Sequence, residues 1–582
     1  MIECQLCVIG GGLSGLIAAI AAARCSIDTV LIQDRPVLGG NASSEFRMHI
    51  CGADNHMKRP DARETGILEE ILLENKRRNP DFSWPIFDLI LYEKASAEKH
   101  LTLFLNTYMH SVKMKDGRIS SVSCFQMTNE RQFSVTADFF IDATGDGSLS
   151  AKSGAVFRLG REASDEFGES LAPQTADSVT MGSSLMFKAR KLDHPVKFIR
   201  PENAYTFTED DLRMRDHSDV SSGYWWIELG GDGKAVIDDA EEIHDELLKT
   251  VYGVWDHIKN SPSHNADNYD LEWVSPIAGK RESRRVEGDY ILRQADIDEA
   301  RIFPDAVAYG GWPMDIHTAG GFASTGDVPT VWNHVGDVYT IPYRCFYSKN
   351  IPNLFLAGRI ISTSHVAFSS SRVMGTCAVG AEAVGNAAAI AVKRGLREAR
   401  DVCAYISELQ QKLLRDDVFI PGFRDEDDRN LARTAQAEAT EERPDGAAVN
   451  VINGIARSWK GQSNAWICRI SSRPVLTLRL RQAAAVSEVI ITFDSNLSRE
   501  ITPSIIREVI ARQEPQSPST LVDEFSVSLY RGGKLEEKRD CRTMGQRHVR
   551  LNFSSIEADR IELQLHSSFG QDTVKVFEVR VY

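Results

Sequence analysis

Positive charge is in deficit in this chain: 67 Lys and Arg face 82 Asp and Glu, a net charge of −15 over 582 residues. That balance argues against a nucleic-acid partner held by phosphate neutralisation. Apolar runs of membrane-span length and lipid-like composition are also missing. "LIAAIAAA" is too short, and "MGTCAVGAEAVGNAAAIAV" is broken by Glu382 and Asn386. The first residues run straight into a strand, which reads as no signal peptide. The ten cysteines are scattered, as suits a reducing compartment, and a cytoplasmic protein is expected. No Cys–His grouping shows zinc spacing, so no metal site is expected. Cys4 and Cys7 form a C-x-x-C pair, but three-residue spacing on a strand sends side chains to opposite faces. They read as buried apolar residues. Internal repeats are absent, which excludes a solenoid.

What is there begins at the amino terminus. "CQLCVIG" reads as a strand, "LIAAIAAA" as a helix and "DTVLIQ" as a second strand. Between the first two lie Gly10, Gly12 and Gly15 in G-x-G-x-x-G spacing, with Leu13 and Ser14 opening the helix. Gly10 permits the tight turn, Gly12 lets a pyrophosphate approach, and Gly15 lets the helix close on the sheet. The helix N-terminus offers N–H groups and partial positive charge to phosphate. Where an acidic residue usually grips the adenosine ribose stands Gln33, followed by Asp34 and Arg35. Gln33 can accept a ribose hydroxyl through its amide oxygen. Arg35 suits a 2′-phosphate, so the opening alone leaves a flavin and a nicotinamide both open.

Further along, Gly39 and Gly40 suggest a second close approach to a ligand, with Asn41 beside them. "ETGILEEILLENKRR" reads as a helix and Asp116–Gly117 as a hairpin turn. "FSVTADFFIDATGDG" reads as a strand returning to the first domain. From about 155 to 345 the periodicity changes repeatedly, as in an inserted lobe. It contains the aromatic strand "GYWWIEL" and a helix, "DDAEEIHDELLKTVYGVWDHIKN", with acids in its first turns. "NLFLAGRI" reads as a strand of the first domain. After a turn-rich stretch, strict alternation sets in. Leu476, Leu478 and Leu480 share a face, as do Phe525, Val527 and Leu529, which argues a β-sandwich.

"GGGLSG", "LGGN", "IDATGDG" and "LFLAGR" occur in the order seen in glutathione-reductase-like flavoproteins. With "GGNASSEFRMHICGA", "GGWPMDIH", "IPYRCFYSKNIPNLFLAGR" and "HVAFSSSRVMGTCAVGAEA", the chain resembles the FAD-dependent oxidoreductases of bacterial carbohydrate and general catabolism over roughly residues 1–430. The resemblance implies FAD as cofactor and an α/β, two-lobed Rossmann-type flavoprotein. Its discontinuous FAD domain spans 1–154 and 346–430, and a mixed α+β substrate lobe spans 155–345. A linker at 431–460 then leads to an all-β sandwich or jelly roll at 461–582. The final strand, "VKVFEVRVY", is similar to that of galactose-binding-like domains, some of which bind sugars. By the same resemblance Ala143, Thr144, Gly145, Asp146, Gly358 and Arg359 lie along the cofactor. Arg372, Val373, Met374 and Gly375 open a helix whose N–H groups approach the flavin's pyrimidine end. Asp146 can accept ribityl hydroxyls or merely cap a turn.

The expected reaction is hydride transfer between flavin N5 and a small polar substrate, a sugar-derived alcohol or acid. Histidine suits the accompanying proton transfer. His49 in "RMHICG" reads as base, flavin ligand, covalent anchor or structural donor, sharing a face with Arg47 and Cys51 if that stretch is extended. His365 is expected near the flavin ring. His317 stands two residues from Asp315, which can orient it only if the backbone curls. Arg344 and Arg372 are candidate carboxylate clamps, and Tyr343 a partner for a substrate hydroxyl. The run holding Arg281, Arg284 and Arg285 reads mainly as a solvated surface, though one of the three can face an anionic substrate. No second glycine fingerprint or iron–sulfur cysteine set identifies the electron acceptor. A carbohydrate-binding scaffold keeping structural FAD, a flavin-dependent lyase, and a reductase of activated double bonds are the competing readings. A homo-oligomer is left open.

Overall fold

Strand β1 (Ile2–Ile9) is apolar because it lies between two parallel neighbours, and Leu6, Cys7 and Val8 are wholly buried. The computed structural model describes residues 1–582. Around β1 it builds one sheet in the order β3–β2–β1–β6–β5–β4. These strands are β2 (Thr29–Ile32), β3 (Leu101–Phe104), β4 (Thr107–Lys115), β5 (Arg118–Gln126) and β6 (Arg131–Asp142). The β1–β2, β2–β3 and β1–β6 pairs are parallel, while β4 and β5 form an antiparallel hairpin turning at Asp116–Gly117. The strand Leu354–Leu356 joins β6 in parallel, so distant sequence completes the same sheet.

Helix α1 (Leu13–Arg24) packs against the helix Met374–Lys393. Small residues are required there, because a Cβ on Gly385 would stand 2.2 Å from the Ala18 carbonyl oxygen. Met374–Lys393 is long and apolar enough to cross a membrane, with mean hydropathy 1.3. Its apolar character has a packing cause, since 94% of that stretch is buried within the protein.

Between these parts the chain builds short antiparallel pairs. Phe187–Lys191 pairs with Tyr269–Val274, and Met314–His317 with Thr330–Asn333. The helix Ala240–Asn260 covers a core containing Phe187, Tyr224, Trp226, Trp255 and Phe322. "GYWWIEL" is mostly irregular rather than strand. Only Glu228–Leu229 is paired, while Tyr224 and Trp226 are core residues.

Two compact units result. The first holds Met1–Gly52, Trp84–Ile406 and Thr502–Ala511, and the second Ala53–Ser83, Ser407–Ile501 and Arg512–Tyr582. The second unit contains a seven-stranded sheet whose pairings are all antiparallel. The long strands Val475–Phe493 and His548–Leu565 carry register shifts that bend them. Leu476, Leu478, Phe525, Val527 and Leu529 are buried as the alternation predicts.

Two boundaries differ from the sequence expectation. Residues 431–460 do not form a bare linker, since Gln436–Ala439 pairs with the long strand and Val451 lies in the core. Residues 53–83 belong to the second unit, not the first. Buried polar anchors hold them there. Arg63 binds Glu69 at 2.7 Å, and Arg457 donates to Asp61 O, Arg63 O and Thr65 Oγ1. Such anchors leave no periodic trace in sequence.

Candidate active site

The turn from β1 into α1 leaves a gap in the first unit. Gly10 has φ +101°, and a Cβ there would lie 2.3 Å from Ala143 O. A Cβ on Gly15 would lie 1.8 Å from Gly10 O. Both positions are glycine because the backbone folds onto itself. Gly12 differs: its nearest neighbour would be Gly40 Cα at 4.0 Å, and it borders a cleft of about 360 Å³, a ligand-sized volume. No side chain caps α1 at Gly12, so the helix start offers its N–H groups to that cleft.

Leu13, Ser14, Gln33, Asp34, Arg35, Gly39, Gly40 and Asn41 also line the cleft. Gln33 has a different task from the one expected of it. Its Oε1 accepts from Gly11 N at 2.7 Å and its Nε2 donates to Val37 O at 3.2 Å, so the amide braces the glycine turn. A carboxylate the sequence reading overlooked stands nearby. Glu45 lines the cleft, and its Oε2 is buried without a hydrogen-bond partner. Burial pushes its pKa up, with Arg35 opposing. A buried acceptor with no protein donor fits ribose hydroxyls.

On the far side of β1, Asp142 is fully buried and shapes the turn that follows it. Its Oδ1 accepts from Thr144 N and Oγ1, and its Oδ2 from Ser150 N and Oγ. Ala143, Thr144, Gly145 and Asp146 are thereby set along the cleft. Asp146 pairs with Lys280 at 2.7 Å and Arg359 at 3.0 Å. Burial alone would raise its pKa, but these cations hold it below the ordinary carboxylate value. Lys280, Arg359 and Gly358 line the same wall, and Arg359 Nε is buried without a protein acceptor. Two cations against one carboxylate suit a pyrophosphate. The bare backbone at Gly12, the unmatched Arg359 Nε and the orphan Glu45 oxygen together fit FAD.

The remaining wall is formed by Met48, His49, Cys51, Met186, Trp225, Arg281, Arg372, Val373, Met374 and Cys377. Arg47 has φ +58° and sits over the Trp273 ring at 4.3 Å, so the stretch is not extended and Arg47 leaves the face shared by His49 and Cys51. Cys51 O accepts from Gly375 N at 2.8 Å, which seats the helix start and keeps that N–H from the cleft. Gly15 and Gly375 are outside the lining.

Behind this wall runs a chain of charges. Arg281 meets Glu228 at 3.3 Å, Glu228 meets His317 Nδ1 at 2.6 Å, His317 Nε2 meets Asp315 at 3.4 Å, and Asp315 meets Arg372 at 2.9 Å. Burial would raise Glu228, but Arg281 and His317 hold it at about 2. Asp315 is likewise held low, by His317 and Arg372 against burial. His317 is therefore buried behind the cleft, oriented by two carboxylates, and needs no curled backbone to meet Asp315.

The other sequence candidates lie elsewhere. His365 is buried, and its Nδ1 meets Glu282 at 3.0 Å, away from the lining. Tyr343 is fully buried and donates to Ala399 O at 2.6 Å. Arg344 pairs with Asp305 at 2.8 Å. The arginine run is no solvated surface. Arg285 is 1% exposed and binds Glu162 and Glu282, while Arg281 faces the cleft.

The family model described as FAD dependent oxidoreductase matches residues 5–413. No curated protein sequence matches the chain. Among solved structures, a geranylgeranyl bacteriochlorophyll reductase-like protein from Thermoplasma acidophilum is 15% identical with a TM-score of 0.32. That match covers 72% of this chain and 86% of the other. A fucose-binding module of Streptococcus pneumoniae is 14% identical with a TM-score of 0.21, covering 26% of this chain and 96% of its own. The family 32 carbohydrate-binding module of C. perfringens NanJ, in complex with galactose, is 16% identical with a TM-score of 0.19, covering 26% of this chain and 96% of its own.

Proposed function

Because this chain belongs to the FAD dependent oxidoreductase family and is an FAD-dependent enzyme, we propose that it oxidises a small hydroxy acid, a class that includes sugar-derived uronates. The carrying observation is the pair Arg281 and Arg372, both on the cleft wall beside His49. Each arginine has one carboxylate behind it, Glu228 or Asp315, and His317 presents both ring nitrogens to those carboxylates. Two guanidinium groups on one wall favour an anionic substrate.

Gly12, Leu13, Ser14, Glu45, Lys280 and Arg359 would hold the cofactor, with the N-terminus of Met374–Lys393 on the opposite wall. FAD, when bound, supplies two-electron acceptance in the form of hydride. Arg281 and Arg372 clamp the substrate carboxylate and fix the hydroxyl-bearing carbon. His49 takes the hydroxyl proton as the carbon is oxidised. Met48, Met186 and Trp225 give that region an apolar lining that limits water.

The test is anaerobic mixing of the FAD-loaded protein with paired hydroxy acids, uronates and their neutral sugar counterparts. Bleaching of the visible flavin band by acids, with Arg281→Met slowing it mainly through weaker binding, supports the reading. Bleaching by neutral sugars alone, or by nothing in the panel, overturns it.

A further inference from the structure

Far along the sequence from the glycine turn, Glu209, His217, His257 and His264 bring one carboxylate and three imidazoles together, with ligand atoms all within 4.8 Å of one another. The fold assembles them from separate places. Glu209 opens the short helix Glu209–Leu212, and His217 lies in the irregular segment that follows it. His257 sits in the last turn of Ala240–Asn260, and His264 ends the 3-10 helix Pro262–His264. Sequence spacing of this kind resembles no zinc motif, which is why none was expected.

The hydrogen-bond pattern turns imidazole lone pairs toward one place. His217 Nδ1 faces Arg215 O at 2.6 Å, and His257 Nδ1 faces Phe207 O at 3.1 Å. Both nitrogens must therefore donate, which leaves each neutral ring with a lone pair on Nε2. The His217 lone pair meets Glu209 Oε2 at 3.3 Å. That of His257 meets Glu209 Oε1 at 3.4 Å and His264 Nε2 at 3.1 Å. His264 Nε2 is 3.1 Å from Glu209 Oε1. Three ring nitrogens and one carboxylate thus converge on a common centre. A cation at that centre can bind all four side chains at once.

We propose that Glu209, His217, His257 and His264 form a tetrahedral Zn²⁺ site. Zinc–nitrogen bonds of about 2.0–2.1 Å give a regular tetrahedron edges of about 3.3 Å; the three separations among Glu209 Oε1, His257 Nε2 and His264 Nε2 run from 3.1 to 3.4 Å, and His217 Nε2 stands 3.3 Å from the other Glu209 oxygen, with the four ligand atoms all within 4.8 Å of one another. The two backbone carbonyls orient the imidazoles as outer partners of metal-bound histidines do. Four protein ligands leave no open position, so the site is structural. The histidine side chains are 6–12% exposed and Glu209 is 56% exposed, so the metal enters from the glutamate side. The site also serves the cleft. Asp216 O, next to His217, accepts from Trp226 Nε1 at 2.8 Å, and Trp225 lines the cleft. Zinc thus pins the 209–217 segment against the wall that carries Trp225.

Elemental analysis of the FAD-loaded protein tests this. About one zinc per chain is expected as purified, or after titration of chelator-treated protein with ZnCl₂, with nitrogen and oxygen ligands at the zinc K-edge. Glu209→Gln, at an exposed position, and His264→Ala lose zinc on dialysis while keeping their flavin spectrum. ZnCl₂ raises Tm in the parent and not in either variant. A parent that neither contains nor takes up zinc overturns the site. So does equal zinc retention in Glu209→Gln and His264→Ala.

Discussion

The Gln33 amide oxygen accepts the Gly11 N–H at 2.7 Å, so the residue at the end of β2 holds the glycine turn in shape. Gln33→Leu buries that N–H without a partner at a cost of about 1–3 kcal/mol. The glycine turn beside the cleft loosens as a result. Expected is roughly tenfold weaker FAD retention, about 1.4 kcal/mol, seen as earlier release of flavin fluorescence in a urea titration. Retention equal to the parent's would show that the turn holds without this brace.

Glu45 lines the same cleft as Gln33 and carries the carboxylate that Gln33 lacks. Its buried, unpartnered Oε2 in the cleft costs free energy until a donor arrives. Glu45→Ala is expected to weaken FAD binding by about 1.5–3 kcal/mol, the worth of a charge-assisted hydrogen bond. It should also leave the apoprotein as stable as the parent or more so. Calorimetric titration of apoprotein with FAD and with FMN separates the causes. The loss should appear with FAD and be absent with FMN, which lacks the adenosine ribose.

The Glu228 carboxyl contributes stability on one side of the pH scale. Its pKa is held at about 2, against 4.5 for the free side chain. The unfolded chain therefore binds the extra proton first as pH falls. The contribution is complete above 4.5 and is lost progressively as pH drops towards 2. Glu228→Gln leaves Arg281 short of a counter-charge, and breaking a buried pair costs about 3–5 kcal/mol. Denaturant unfolding across the acid range should show a lower plateau and a shallower acid slope in the variant. Parallel curves would contradict this assignment.

Local chemistry made the first half of the site readable. Gly10 and Gly15 are dictated by backbone approach within one turn, and the alternation at Leu476 and Phe525 reports which face is buried. Features assembled across the chain left no such trace. Glu45 matters only because folding removes its donors. Arg285 stands in a charge run that looks solvated, yet it is 1% exposed between Glu162 and Glu282. Tyr343 and Arg344 sit in a stretch that resembles the family, but their partners, Ala399 O and Asp305, draw them away from the cleft.

The proposed function gives His49 the chemical role and leaves His365 a structural one. His49 borders the cleft beside Arg281 and Arg372, whereas His365 Nδ1 faces Glu282 in a buried cluster with Arg285. His49→Gln keeps a hydrogen-bonding side chain but removes a base that works near neutral pH. Its loss is expected to slow flavin reduction by roughly 10²–10⁴-fold, the usual worth of general-base catalysis, and to abolish the acid limb of the pH–rate profile. His365→Gln should reduce flavin within a few-fold of the parent rate while lowering Tm, because Glu282 loses its ring partner. Anaerobic stopped-flow across pH, read beside thermal unfolding, distinguishes them. The reverse outcome, with His365→Gln slow and His49→Gln unimpaired, would move the proton-handling group out of the cleft and behind its wall.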